Sequence, residues 1–146
     1  MENRVTSNNI IKLEPNELFV FGSNLSGFHG KGAAKTALKW GAKYGEGVGL
    51  YGQTYALPTV YYNIKRSLTI QEIKEYVDEF ISFANENKDL IFLVTEVGCK
   101  LAGHKVSDIA PLFKNAVNIE NIHLPERFWD ILNLQNILIF RKSKIK

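Results

Sequence analysis

Between Gly22 and Gly32 the chain carries four glycines (Gly22, Gly27, Gly30 and Gly32), with Ser23, Asn24, His29 and Lys31 set among them. Glycine lets backbone approach a ligand closely, and a helix that opens directly after the loop adds partial positive charge. Strand, glycine loop and helix in that order therefore offer backbone N–H groups to an anion. Asn24 has the chemistry to bond a sugar hydroxyl or orient a water, and equally to close an Asx turn. His29 is a candidate general base near neutral pH, against the plainer reading of a surface histidine. Lys31 can pair with phosphate or simply be solvated. A second glycine loop, Glu96-Val97-Gly98-Cys99-Lys100-Leu101-Ala102-Gly103-His104, is bracketed by the other two proton-transfer candidates, Glu96 and His104. Cys99 has no activating partner nearby in sequence and reads as a small packing residue. Ser107 reads as a helix cap and not as a nucleophile.

Neither loop matches the two best-known phosphate loops. A Walker A motif needs Gly-Lys-Ser/Thr after four intervening residues, but Gly27 is followed by Phe28-His29. The dinucleotide fingerprint needs a third glycine where Gly30-Lys31-Gly32 continues with Ala33-Ala34-Lys35.

The elements that must hold these loops follow from periodicity. Leu18-Phe19-Val20-Phe21 reads as a buried strand, and Ala33 to Trp40 as a helix ended by Gly41. Residues 1–8 read as frayed or as an edge strand, and Ile10-Ile11-Lys12-Leu13 as a short apolar segment stopped by Pro15. Tyr44 to Gly52 holds four more glycines and reads as a long loop, a candidate mobile flap. Gln53 to Thr59 reads as a strand closed by a turn at Pro58. Thr69-Ile70-Gln71-Glu72 is a capping box that opens an amphipathic helix over 70–86. Leu90 to Thr95 is unbroken apolar up to its last residue, the pattern of a central strand. Ser107 to Asn115 reads as a helix with Pro111 in its first turn. Ile122-His123-Leu124 reads as a strand, Arg127 to Leu132 as a helical turn or two, and Ile137 to Phe140 as a last strand. Alternating strands and helices predict an α/β protein: three α/β/α layers with a central mixed, largely parallel sheet. Ligands then sit beyond the carboxyl ends of the strands, so both glycine loops should share one rim and form a cleft for a diphosphate.

At 146 residues the length fits one domain, 1–146, and a 45% hydrophobic content argues against disorder. A single cysteine excludes an internal disulfide framework, and no cysteine–histidine zinc spacing is present, so neither a metal nor a cofactor is expected. No apolar run has signal-peptide or membrane-spanning length, which predicts a cytoplasmic protein without a membrane partner. The net charge of +3 comes partly from the basic tail Arg141 to Lys146.

Taken together, three segments resemble the macrodomain, the ADP-ribose-binding α/β/α module, over roughly residues 9–125. Phe19-Val20-Phe21-Gly22-Ser23-Asn24 with His29-Gly30-Lys31-Gly32-Ala33-Ala34 is similar to that family's strand, asparagine and glycine-rich helix start. Gln53 to Thr59 is similar to its strand ending near the ligand. Gly98-Cys99-Lys100-Leu101-Ala102-Gly103 resembles the second loop of the branch that removes ADP-ribose from glutamate or thymidine. The first pattern is also similar to a set of uncharacterised phage and prophage proteins. The resemblance implies ADP-ribose or a related NAD-derived nucleotide as ligand, and ADP-ribosylated protein or DNA as targets. It implies ligand contacts from Asn9 (near the family's adenine-recognising aspartate), Gly22, Ser23, Asn24, Gly30, Lys31, Gly32 and Ala33. On the second loop it implies Gly98, Cys99, Lys100, Leu101, Ala102 and Gly103.

The departures bear on mechanism. Val60 and Ala102 stand where the resembling hydrolases have a nucleophilic lysine and an acid/base aspartate, and an aliphatic side chain can do neither job. Any hydrolysis would need a water held by Asn24, with His29 or Glu96 moving the proton. The competing expectation is a non-enzymatic nucleic-acid- or protein-binding accessory protein that uses its basic tail.

Overall fold

The computed structural model describes residues 3–62 and 66–133. Its six strands are β1 (Val5–Thr6), β2 (Glu17–Asn24), β3 (Gly49–Tyr51), β4 (Thr54–Val60), β5 (Ile91–Val94) and β6 (Ile122–Pro125). They form one sheet in the order β1-β6-β5-β2-β4-β3. Every neighbouring pair is parallel except β3 with β4, so the sheet is mixed and largely parallel, as the sequence predicts. The helices are α1 (Gly32–Ala37), α2 (Ile70–Asn85), α3 (Val106–Ile109) and the helical residues 126–133, here α4. Tighter 3-10 turns continue α1 over Leu38–Trp40 and α3 over Ala110–Ala116.

The alternation of β2 sorts the core. Leu18 and Val20 face one side, where α2, the turn over Ala110–Ala116 and α4 bury Phe80, Phe92, Phe113 and Phe128 with them. Phe19 and Phe21 face the other side, covered by Ala34 and Ala37 of α1, whose small side chains let the helix lie close. Trp40 closes that smaller cluster, its ring 5.0 Å from Phe19. The α2 start is the capping box expected: Thr69 accepts from the Glu72 N–H at 3.1 Å, and Glu72 accepts from the Thr69 N–H at 2.9 Å.

Several expectations give way to tertiary context. Gly22 and Ser23 belong to β2, which runs on through Asn24 before the loop begins. The stretch 44–52 is not loop throughout: it contains β3, and its Glu46 and Gly47 carbonyls bind the first loop. Pro58 is inside β4 instead of ending it. The pairing with β3 stops at Ala56, so no neighbouring strand asks Pro58 for an N–H. Ser107 does not cap; Lys105 occupies that position and no side chain bonds the helix end. Of the two readings of the amino terminus, the edge strand is the one observed, since Val5 and Thr6 pair with β6 at the sheet's edge and Arg4 is buried. The strand expected over Ile137 to Phe140 and the tail Arg141 to Lys146 lie outside the described residues.

Arg4 is the part of the fold that no sequence pattern announced. Its guanidinium donates to the carbonyls of Ala116 (3.0 Å), Val117 (2.8 Å), Ile119 (2.7 Å) and Ile122 (2.8 and 3.0 Å). The Trp129 ring lies 5.1 Å from the guanidinium carbon, and the Trp129 indole N–H donates to the Arg4 carbonyl at 2.8 Å. A buried cation is thus satisfied by peptide carbonyls at the end of a 3-10 turn, where partial negative charge gathers.

Candidate functional site

Parallel pairing of β2 with β5 puts the loops that follow them on one rim. They meet closely there. A β-carbon on Gly22 would sit 3.4 Å from the Gly98 nitrogen, and one on Gly32 would sit 3.7 Å from Leu101 Cδ1. The expected shared rim is therefore present, and Gly22, Gly32, Gly98 and Leu101 are brought together on it.

The first loop is braced by its own polar side chains. Asn24 Oδ1 accepts from the Phe28 N–H at 3.0 Å and Asn24 Nδ2 donates to the Phe28 carbonyl at 2.9 Å, which uses both ends of the amide in a closed turn. His29 is 1% exposed. Its Nε2 lies 2.9 Å from the Lys43 carbonyl and 3.1 Å from that of Glu46. Two carbonyls at one nitrogen assign the proton to Nε2; Nδ1 has no partner among the described residues. Phe21 and Tyr44 pack edge-on against the ring. Ser23 Oγ donates to the Gly47 carbonyl at 2.5 Å, and the Gly45 N–H donates to the Gly27 carbonyl at 2.9 Å. Gly47 has to be glycine for this strap to lie so near, since a β-carbon there would stand 2.1 Å from the Asn24 oxygen. Ser23, Asn24 and His29 are thus placed within the loop's internal bracing, and His29 is not the surface residue that its plainer reading supposed.

The second loop has its side-chain anchors at its two ends, and the His104 N–H closes it onto the Gly98 carbonyl at 2.9 Å. Arg127 of α4 grips the Glu96 carboxylate with Nε at 2.7 Å and Nη2 at 2.6 Å. That hydrogen bonding, opposed by partial burial, holds the Glu96 carboxyl below its usual range. A carboxylate so paired is a weak base. At the far end Ser67 Oγ donates to the Ala102 carbonyl, and His104 Nε2 lies 2.7 Å from the Leu68 carbonyl. Burial pushes the Cys99 thiol up to about 11, which agrees with a packing role.

What remains open is backbone and two cations. Among the described residues no acceptor meets the N–H groups of Gly30, Lys31, Gly32 and Ala33, nor those of Gly98, Lys100, Leu101 and Ala102. Gly103 instead donates to the Lys100 carbonyl at 3.0 Å. Lys31 and Lys100 are in no ion pair among the described residues. Around them stand exposed apolar side chains: Leu101 at 72%, Phe28 at 56% and Tyr44 at 58% exposure, the last two with ring centroids 6.0 Å apart. Tyr55 is core, and Tyr51 donates to Glu46 Oε2 at 3.1 Å. Phe28 and Tyr44 were missed; the signal was an aromatic inside a glycine loop, where no core is at hand to bury it. Asn9 belongs elsewhere. It lines a cleft that includes no residue of either glycine loop.

No group of three or more His, Cys, Asp or Glu side chains among the described residues is placed to hold a metal ion. No helix among them is long and apolar enough to cross a membrane. No family model, curated protein or solved structure matches this chain. The macrodomain resemblance therefore rests on the residues quoted for it.

Proposed function

We propose that the rim formed by the loops after β2 and β5 binds a nucleotide diphosphate of the ADP-ribose type, and that it acts as a binder. One observation carries the reading: two loops held side by side by adjacent parallel strands present N–H groups without acceptors among the described residues, flanked by Lys31 and Lys100, which are in no ion pair among those residues. Backbone donors of this kind suit phosphate oxygens, and α1, with six residues, adds only a small dipole. Phe28 and Tyr44 supply exposed aromatic faces for a base. Binding is favoured over hydrolysis because the groups suited to moving a proton are engaged. Asn24 closes a turn, His29 is buried under the loop, and Glu96 is gripped by Arg127.

Calorimetry with ADP-ribose and AMP on the wild type, Lys31→Glu and Lys100→Glu tests this. Both lysines are on the surface, so the fold should survive. ADP-ribose should bind more tightly than AMP, and each reversal should weaken it at least several-fold. Equal affinity for the two nucleotides, or indifference to both reversals, would refute the diphosphate site.

A further inference from the structure

A third loop reaches the same rim. β4 runs parallel to β2 on the side away from β5, so the connection from β4 to α2 leaves the sheet at the end where the two glycine loops stand. Its base is closed like a hairpin: the Tyr61 N–H donates to the Arg66 carbonyl at 2.8 Å and the Leu68 N–H to the Thr59 carbonyl at 2.9 Å. Ser26 Oγ donates to the Tyr62 carbonyl at 2.7 Å, and Ser67 Oγ donates to the Ala102 carbonyl. The third loop is therefore fastened to the first loop and to the second.

These bonds close a circuit around the rim. A β-carbon on Gly30 would lie 3.9 Å from the Tyr44 hydroxyl, and one on Gly32 lies against Leu101, whose neighbour Ala102 is held by Ser67. The return runs through Tyr62 and Ser26 to Gly27, whose carbonyl accepts from the N–H of Gly45, next to Tyr44. The N–H groups of Gly30 to Ala33 and of the second loop thus lie between Tyr44 at one end and the third loop at the other.

All four exposed aromatic side chains among the described residues stand on this circuit, and they form two pairs. Phe28 and Tyr44 have ring centroids 6.0 Å apart, and Tyr61 and Tyr62 5.2 Å apart. The Arg66 guanidinium carbon stacks 4.3 Å from the Tyr61 centroid, while its Nη2 is paired with Glu72 at 3.4 Å. Neither pair belongs to a core cluster. Apolar surface gathered in one exposed place marks a binding site. A single adenosine occupies one pair and leaves the other without use.

Resting on the nucleotide reading of the rim, we infer that its ligand is a dinucleoside diphosphate. One base stacks on Phe28 and Tyr44, and the second on Tyr61 and Tyr62. The diphosphate between them takes the N–H groups, and its two negative charges are matched by Lys31 and Lys100, which are in no ion pair among the described residues.

The test is calorimetry on the whole chain with diadenosine diphosphate, ADP-ribose and an oligothymidylate. Diadenosine diphosphate should bind about fivefold more tightly than ADP-ribose or better, the gain from stacking one further base. Tyr62→Ala changes an exposed side chain, so it should keep the fold, remove most of that gain and leave ADP-ribose affinity within about twofold. Tyr62→Phe keeps the ring and should keep the gain. Equal binding of the two nucleotides by the wild type overturns the second base site and leaves the rim reading standing. So does a Tyr62→Ala loss shared equally by both ligands, or a Tyr62→Phe loss as large as that of Tyr62→Ala. Binding of neither nucleotide overturns the rim reading and this inference together. Oligothymidylate that binds more tightly than diadenosine diphosphate and displaces it would give the rings to a nucleic-acid strand, and the inference falls.

Discussion

The two loops on the rim solve one problem in opposite ways. The loop after β2 uses its polar side chains to hold itself: Asn24 on Phe28, Ser23 on Gly47, His29 on two carbonyls of the strap. The loop after β5 is anchored by residues at its ends, Glu96 to Arg127 and His104 to Leu68, and leaves the N–H groups of Gly98, Lys100, Leu101 and Ala102 without an acceptor among the described residues. A polar residue in a glycine loop is thus no guide to chemistry by itself. Where it lies mid-loop and buried it is scaffold, and the N–H groups around it are what remain for a ligand.

The sharpest way to break this contrast is His29→Ala. It removes a buried ring from beside Phe21 and Tyr44 and leaves two carbonyls without their donor. A loss of about 2–4 kcal/mol is expected from the cavity and the lost bonds together. Urea denaturation measures it, and an unchanged midpoint would mean the strap holds without the ring. Next come the glycines. Gly47→Ala forces a β-carbon onto the Asn24 oxygen, and Gly98→Val puts a branched side chain at φ +77 with its β-carbon 3.1 Å from Ile109 Cδ1. Each should cost about 1–3 kcal/mol, so neither is a clean probe of binding.

A smaller effect separates the anchors by pH. Glu96 titrates below its unfolded value near 4.5 when folded. The stability it contributes is therefore complete above about pH 4.5 and is lost as pH falls through the lower folded value. In Arg127→Ala the main cause of the depression is gone, so the melting temperature should fall less steeply below pH 4.5 than in the wild type. Parallel slopes would show that the pair contributes nothing. The smallest effect on stability belongs to the crest. Leu101→Ala should stay within about 0.5 kcal/mol of wild type, as exposed substitutions do, while lowering nucleotide affinity in calorimetry.

The fold was legible where local signals were strong and uncontested. The Thr69–Glu72 box, the 70–86 stripe and the apolar runs of β2 and β5 each state their structure within a few residues. Sequence failed where a partner far along the chain decides. β3 lies in a glycine-rich stretch and reads as loop because its pairing with β4 is set by the sheet and not by propensity. Pro58 reads as a stop until one sees that β3 is too short to need its N–H. The shared rim was legible because strand alternation fixes where loops must fall. The bracing by His29 was not, since its acceptors, the Lys43 and Glu46 carbonyls, belong to a segment with no pattern of its own.

Arg4 carries a consequence for the order of events in folding. Every carbonyl it binds lies 112 to 118 residues further along the chain. Contacts that distant close the largest loops and form late. The segment around Arg4 must therefore wait for almost all the rest of the described chain to be made before its bonds can close. Until then β1 has no strand to pair with and Arg4 no carbonyls to bind, and that interval is when a nascent chain of this protein is most exposed to pairing with another.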